Sequence, residues 1–216
     1  MKNPIIPGLN LQVHSIFCIG RNYAEHAKEL GNEVPKEPIV FLKPLNTICF
    51  TGSNIELPIQ TNDVHHEVEL VLAIGKSGKN ISIENALDHI AGYGIGIDFT
   101  ARDIQKKAKE KGQPWSIAKG FDNFAPLGNF IPFDSESFPV IDLNLTVNSE
   151  PRQQGSTHDM IFDIPVLISF LSSIFTLEEG DLIFTGTPNG VSAIQSGDII
   201  EAHLENKKST LKVIIS

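Results

Sequence analysis

Short runs of β-branched and aromatic residues recur along the chain at Ser15–Ile19, Ile39–Leu42, Glu67–Ile74, Ile95–Phe99, Leu143–Val147, Asp181–Thr185, Ile199–His203 and Thr210–Ile215. Each is bounded by Gly, Pro, Asn or Ser, as strands closed by turns should be. Four stretches have helical character instead. Asn22 stands where it can cap Tyr23–Leu30, with Glu25 at the third helical position and Gly31 as the stop. Ser82 can start a helix to about Ile90, closed by Gly92. Thr100 with Asp103 resembles a capping box that opens Ala101–Lys111 ahead of Gly112. Asp163, with Pro165 in the first turn, opens a run to about Phe175 in which Ile164, Leu167, Ile168, Leu171 and Phe175 share one face. Asn148-Ser149, between two extended stretches, predicts a hairpin turn. The strands are too irregularly spaced for a βαβ series, and the sequence has no phosphate-binding glycine loop. The pattern therefore predicts an α+β architecture, mostly β, with helices at the margins.

The 216 residues suit one domain, 1–216, and 41% hydrophobic against 20% charged residues is the balance of a soluble fold. Seventeen Lys and Arg against 26 Asp and Glu leave a formal charge of −9. An acidic chain without a basic cluster argues against nucleic acid or an anionic membrane as partner, so an anionic substrate needs local positive charge or a metal. The opening MKNPIIPGLN has no continuous apolar core, so no secretory signal is expected there. No segment approaches the roughly 20 apolar residues of a membrane helix. Cys18 and Cys49 sit in apolar, β-like runs and read as buried reduced thiols rather than a disulfide or a reactive pair, which makes the cytoplasm the expected compartment.

The densest chemistry is His65-His66-Glu67-Val68-Glu69. Residues two apart on a strand share a face, so Glu67 and Glu69 project together while Val68 and Leu70 point the other way. Like charges side by side need a cation, a shared proton or basic neighbours. Asp98 ends the separate run Gly94-Ile-Gly-Ile-Asp98 and could supply a third oxygen. Three carboxylates describe a hard-cation site suited to Mg²⁺ or Mn²⁺, with about three octahedral positions left for water or substrate. Taken alone, a strand with E-x-E is more often an exposed polar face. His65 and His66, being adjacent, face opposite ways and cannot chelate zinc together; a hydrogen-bonding or core role suits them better. His26 and Glu29, at i and i+3, would let the carboxylate orient an imidazole base, although a solvated helix face explains the same residues. Arg102 and Gln105 share the same spacing just after Asp98. Lys119, alone in WSIAKGF, is either a snorkelling surface group or a buried charge with a task. Thr185-Gly-Thr-Pro-Asn-Gly-Val191 is a tight polar loop after a strand, of the kind that meets ligands or merely turns.

In this order the pieces resemble the fumarylacetoacetate hydrolase family. The matching stretches are GRNYAEHAKELGN from Gly20, EPIVFLKP from Glu37, HHEVELVLAIGK from His65, IDFTARDIQKKAKEKGQPWSIAKGFDNFAPLG from Ile97, RQQGSTHDMIF from Arg152 and LEEGDLIFTGTPNGV from Leu177. The resemblance implies a mixed, barrel-like β-roll with a few peripheral helices, commonly dimeric, with Glu67, Glu69 and Asp98 as metal ligands. It implies that residues about 22–31 form a lid carrying His26 and Glu29, that Lys119 is catalytic, and that Arg102, Gln105, Thr187 and Lys43 contact substrate. The lid pair, TARDIQ and WSIAKGF are most similar to the acylpyruvase and oxaloacetate decarboxylase branch. That implies a Mg²⁺-dependent hydrolase or lyase cleaving a C–C bond of a small 2-oxo acid, through a metal-bound pyruvate enolate. An isomerase of hydroxymuconate or 2-hydroxyhepta-2,4-diene-1,7-dioate type, an oxaloacetate tautomerase, and a metal-dependent binding module without turnover are the other readings.

Overall fold

The computed structural model describes residues 3–29, 31 and 33–216, so the expected helix end at Leu30 lies outside the described residues. Strands numbered in chain order form three sheets. The largest is ordered β2 (Ile39–Leu42), β1 (Ile16–Gly20), β12 (Leu182–Phe184), β6 (Val68–Ile74), β7 (Ile90–Ile97), β9 (Ala125–Pro132) and β3 (Ile48–Phe50). A second is ordered β11 (Glu150–Ser156), β10 (Asp142–Val147), β14 (Ile199–Leu204), β15 (Ser209–Ile215) and β4 (Asn54–Ile55). The third is small: β13 (Ser192–Ala193), β5 (Val64–His66) and β8 (Thr100–Ala101). The main sheet curls into a half-barrel, and the α+β, mostly β expectation holds.

Alternation along the central strands explains the packing. Leu70, Leu72 and Ile74 of β6 and Phe17 and Ile19 of β1 enter one core, which β10, β14 and β15 complete. Val71 and Ala73, with Ile16 and Cys18, enter a second core against Leu182, Phe184 and Leu127. β6 is thus buried on both faces, which makes any carboxylate on it costly to leave unpartnered. β1 and β12 run parallel, β6 runs antiparallel to β12, and β7 antiparallel to β6. The ends of β1, β12 and β7 and the start of β6 therefore meet at one rim of the sheet.

Helices α1 (Ala24–Glu29), α2 (Arg102–Glu110), α3 (Ser116–Lys119) and α4 (Ile164–Ile174) complete the frame. Helix α4 follows its sequence pattern: Asp163 accepts the Val166 N–H at 3.0 Å, and Ile164, Leu167, Ile168 and Leu171 are buried. The other cap readings are corrected. Among the described residues Asn22 makes no capping bond to α1; its amide donates to Phe162 O (3.0 Å) and Thr185 O (2.8 Å), a long-range brace that a local pattern cannot foretell. Thr100 belongs to β8, and Asp103 takes the Thr61 hydroxyl and the Ile104 N–H instead of closing a box. The stretch after Ser82 is a 3₁₀ turn, Ile83–His89, and Gly92 lies inside β7, paired with Pro132, because a sheet partner claims the backbone there.

β7 starts earlier than expected and β9 was not expected at all, since Pro126, Gly128 and Pro132 read as breakers. Gly128 sits where a Cβ would lie 2.4 Å from Thr210 O, so this glycine marks a close approach of β15 rather than a turn. Asn148 and Ser149 do form the β10–β11 hairpin, with φ of 53° and 69°. Cys18 and Cys49 are buried and unbonded to each other. Among the described residues no helix is long and apolar enough to cross a membrane.

Candidate active site

Glu67 occupies the break between β5 and β6, Glu69 follows on β6, and Asp98 leaves the end of β7, where its N–H bonds Glu67 O at 2.8 Å. The β6–β7 register sets Glu69 opposite Gly96 and so brings Asp98 beside the glutamates. Oxygens of the three buried carboxylates lie within 4.8 Å of one another. The convergence expected from strand geometry is present, although Glu67 itself lies outside β6.

Basic side chains answer part of this charge. Lys119, delivered by α3, donates to Glu67 Oε2 at 2.9 Å and to Asp98 Oδ2. Arg102, the first residue of α2, pairs with Glu67 Oε1 and donates to Gln105 Oε1 at 2.8 Å. Burial by itself raises the Glu67 carboxyl, but Lys119 and Arg102 outweigh it and hold it well below the usual carboxylate range. Burial likewise works against the Lys119 ammonium, and Asp98 and Glu67 overcome it and lift its pKa. Glu69 is the group left short. Burial, then Asp98, then Glu67 push it well above the usual range, and its hydrogen-bond donor among the described residues is the Gly186 N–H at 2.7 Å. A buried trio of oxygen ligands, of which Glu69 has no ion-pair partner among the described residues, fits a hard divalent cation.

The turn after β12 is shaped for this contact. Gly186 has φ of 100°, and a Cβ there would meet Asn22 Cβ at 2.6 Å, so only glycine aims the N–H at Glu69 without strain. Gln153 of β11 then fixes the next residues. Its oxygen accepts from Val68 N (3.0 Å) and meets His66 Nδ1 (2.8 Å), while its amide donates to Thr187 Oγ1 (2.8 Å) and Pro188 O (2.9 Å). His66 completes the bridge through Nε2 to Ser192 Oγ at 2.8 Å, and His65 Nε2 meets Asp63 at 2.9 Å. The two histidines are hydrogen-bonding residues, as their adjacency implied.

His26 on α1 is 4% exposed, and its Nδ1 lies 3.3 Å from Glu29 Oε2. Glu29 also accepts the Gly190 N–H at 3.1 and 3.2 Å, docking α1 on the polar loop after β12. Burial lowers the His26 pKa, with Glu67 and Glu29 opposing, which favours the neutral imidazole.

His26, Glu67, Glu69, Asp98, Arg102, Gln105, Lys119 and Thr187 line a single pocket. Lys43 departs from its expected substrate contact. Fully enclosed, its ammonium lies 2.7 Å from Asp98 Oδ1 and donates to the carbonyls of Phe99, Lys119 and Phe124, so no donor is left for a ligand. Arg21, Lys109 and Trp115 join the lining without having been singled out. A signal existed for Lys109, which follows Arg102 and Gln105 at i+7 and i+4 and so shares their face of α2. Gln153 stood in the motif RQQGS with no local sign of its role.

Fold and site together define a mixed β-roll enzyme built around a buried carboxylate trio able to hold a divalent cation. Residues 15–213 match the Fumarylacetoacetate (FAA) hydrolase C-terminal family, and the chain belongs to it. It is similar to the mitochondrial oxaloacetate decarboxylase of Dictyostelium discoideum, with 48% identity over 86% of this chain and 86% of that protein. It is also similar to a mitochondrial oxaloacetate tautomerase of Arabidopsis thaliana, with 47% identity over 94% of this chain and 91% of that one. The crystal structure of fumarylpyruvate hydrolase from Pseudomonas aeruginosa, in complex with Mn²⁺ and pyruvate, superposes with a TM-score of 0.92 at 35% identity, covering 100% of this chain and 98% of that one.

Proposed function

We propose that this protein is a divalent-cation-dependent hydrolase or lyase that cleaves a C–C bond of a small 2-oxo acid: an acylpyruvate, fumarylpyruvate or oxaloacetate. The observation that carries the reading is a buried imidazole with its own carboxylate partner, opening into the pocket that contains the acidic trio. Glu67, Glu69 and Asp98 would hold Mg²⁺ or Mn²⁺, which supplies Lewis-acid polarisation of the 2-oxo group of a chelating substrate. Arg102, Gln105 and Thr187 orient that substrate. His26 takes a proton from water, Glu29 steadies the imidazolium, and the water attacks the acyl carbonyl remote from the 2-oxo acid. Lys119, whose charge its neighbours reinforce, stabilises the negative charge that develops as the C3–C4 bond breaks, and the departing pyruvate enolate takes up at C3 the proton that the His26 imidazolium returns. Lys43 is assigned to holding Asp98 rather than to substrate.

Pyruvate release from acylpyruvates, fumarylpyruvate and oxaloacetate, with and without chelator, tests the reading. His26→Ala should cost acylpyruvate hydrolysis about 10²–10⁴ in kcat and decarboxylation much less, since decarboxylation needs no attacking water. Equal losses on the two substrates would defeat the assignment of His26. A tautomerase or isomerase is the second reading, favoured by the Arabidopsis relative, and it would release no pyruvate. We further place the chain in the cytoplasm, on its two reduced thiols, and as a homodimer. Support for the dimer comes from β2, an edge strand with Leu42 exposed, and from Ile117 and Ile59, both exposed; light scattering checks it.

A further inference from the structure

Gln153 is the odd residue of β11. Its neighbours Arg152 and Gln154 are exposed, whereas Gln153 is fully buried. Burying an amide is costly unless its polar atoms find partners, and here all four hydrogen-bonding capacities of the side chain are used. Its oxygen accepts the Val68 N–H at 3.0 Å and meets His66 Nδ1 at 2.8 Å. Its nitrogen donates to Thr187 Oγ1 at 2.8 Å and to Pro188 O at 2.9 Å.

These partners fix the direction of each hydrogen. A backbone N–H only donates and a carbonyl only accepts, so Val68 and Pro188 settle which end of the amide is oxygen and which is nitrogen. His66 Nδ1 faces the oxygen and so carries a hydrogen, and its Nε2 is held by Ser192 Oγ at 2.8 Å. An amide nitrogen has no lone pair to offer, so Thr187 Oγ1 accepts from it and must turn its own hydrogen elsewhere. Among the described residues nothing accepts that hydrogen, and Thr187, 3% exposed, lines the pocket beside the carboxylate trio. The backbone behind it is fixed as well. A Cβ at Gly155 would lie 2.5 Å from Pro188 Cβ, and one at Gly190 would lie 2.2 Å from Arg152 O, so the loop after β12 rests directly on β11.

The plain alternative is a satisfied core cross-link joining β5, β6 and the loop after β12. Backbone carbonyls would serve such a link equally well, and it gives no role to a bond spent on a side chain of the pocket wall. We propose that Gln153 is a positioning residue: by donating to Thr187 Oγ1 it makes that hydroxyl a hydrogen-bond donor into the pocket, aimed at an anionic oxygen of the ligand. This rests on the reading above that Thr187 contacts substrate. A freely rotating hydroxyl serves donors and acceptors alike, whereas one locked in this sense favours an acceptor, and more so as negative charge gathers on it.

Calorimetric binding of oxalate to the Mg²⁺-loaded full chain tests this without turnover. Thr187→Val keeps the shape and removes the hydroxyl, and it should weaken oxalate about tenfold, the size expected of one hydrogen bond to an anion. Thr187→Ser should keep oxalate tight. Gln153→Glu leaves an oxygen for Val68 and His66 but turns the Thr187 hydroxyl round to donate to the new carboxyl group. It should weaken oxalate by a similar factor in the wild type and by little in the Thr187→Val background. Gln153→Met, which adds no charge, should show the same dependence on Thr187. Equal losses with and without the Thr187 hydroxyl would mark Gln153 as structural only and overturn the proposal. Undiminished oxalate binding by Thr187→Val overturns it too, and that comparison decides the donor role even if the Gln153 variants fold poorly. Failure to release pyruvate from any 2-oxo acid would sink the catalytic reading and leave this binding comparison standing.

Discussion

His26 and Lys43 show how the interior redefines a side chain. Free histidine titrates near 6.5, and burial pulls His26 below that value because the imidazolium loses water. A base must be neutral, so the acid limb of kcat/KM should fall below pH 6.5. Glu29 stabilises the imidazolium, so Glu29→Gln should move the limb to still lower pH; a limb moving upward would contradict the pairing. Lys43 is likewise cut off from water, with Asp98 and three carbonyls for company. Lys43→Met removes the partner of a buried carboxylate, and breaking such a pair costs about 3–5 kcal/mol. Denaturant unfolding should show that loss, and near-neutral stability would return Lys43 to the list of ligand contacts.

Between residues and fold stand the elements that aim them. The turn after β12 holds Glu69 by one backbone N–H, Thr187 by Gln153, and α1 by Gly190. A Cβ at Gly186 would collide with Asn22 and strain a φ of 100°. Gly186→Ala should therefore destabilise the fold by about 1–3 kcal/mol and weaken Mg²⁺ binding, read by thermal melting and by titration with the ion. Retention of full Mg²⁺ affinity would show that the Gly186 N–H does not position Glu69. Helix α2 presents Arg102, Gln105 and Lys109 on one face, a spacing readable from the chain alone. The brace from Asn22 to Phe162 and Thr185 was not readable, because both partners lie more than a hundred positions away.

For the molecule as a whole, the carboxylate trio gathers three acidic groups at one rim of the curled sheet. Folding must hold these groups together against their repulsion, and an ion bound only by the folded state repays that cost by mass action. At a concentration a hundredfold above its dissociation constant, Mg²⁺ should add about 2.7 kcal/mol. For a chain of this size that is roughly 5–10 °C in Tm. Chelator should reverse the gain, and a melting curve indifferent to both would count against the metal site.

Local pattern alone determined the strand-rich character, the face shared by Glu67 and Glu69, the α4 cap and the β10–β11 hairpin, because period-two alternation, capping and turn chemistry act over a few residues. The order of motifs supplied the family. Tertiary structure decided what depends on distant partners: that β9 is a strand despite its prolines, that Lys43 is sealed behind Asp98, that Gln153 locks Thr187, and that Arg21 and Lys109 line one pocket. Burial and long-range contact set those outcomes, and neither is written in the spacing of neighbouring residues.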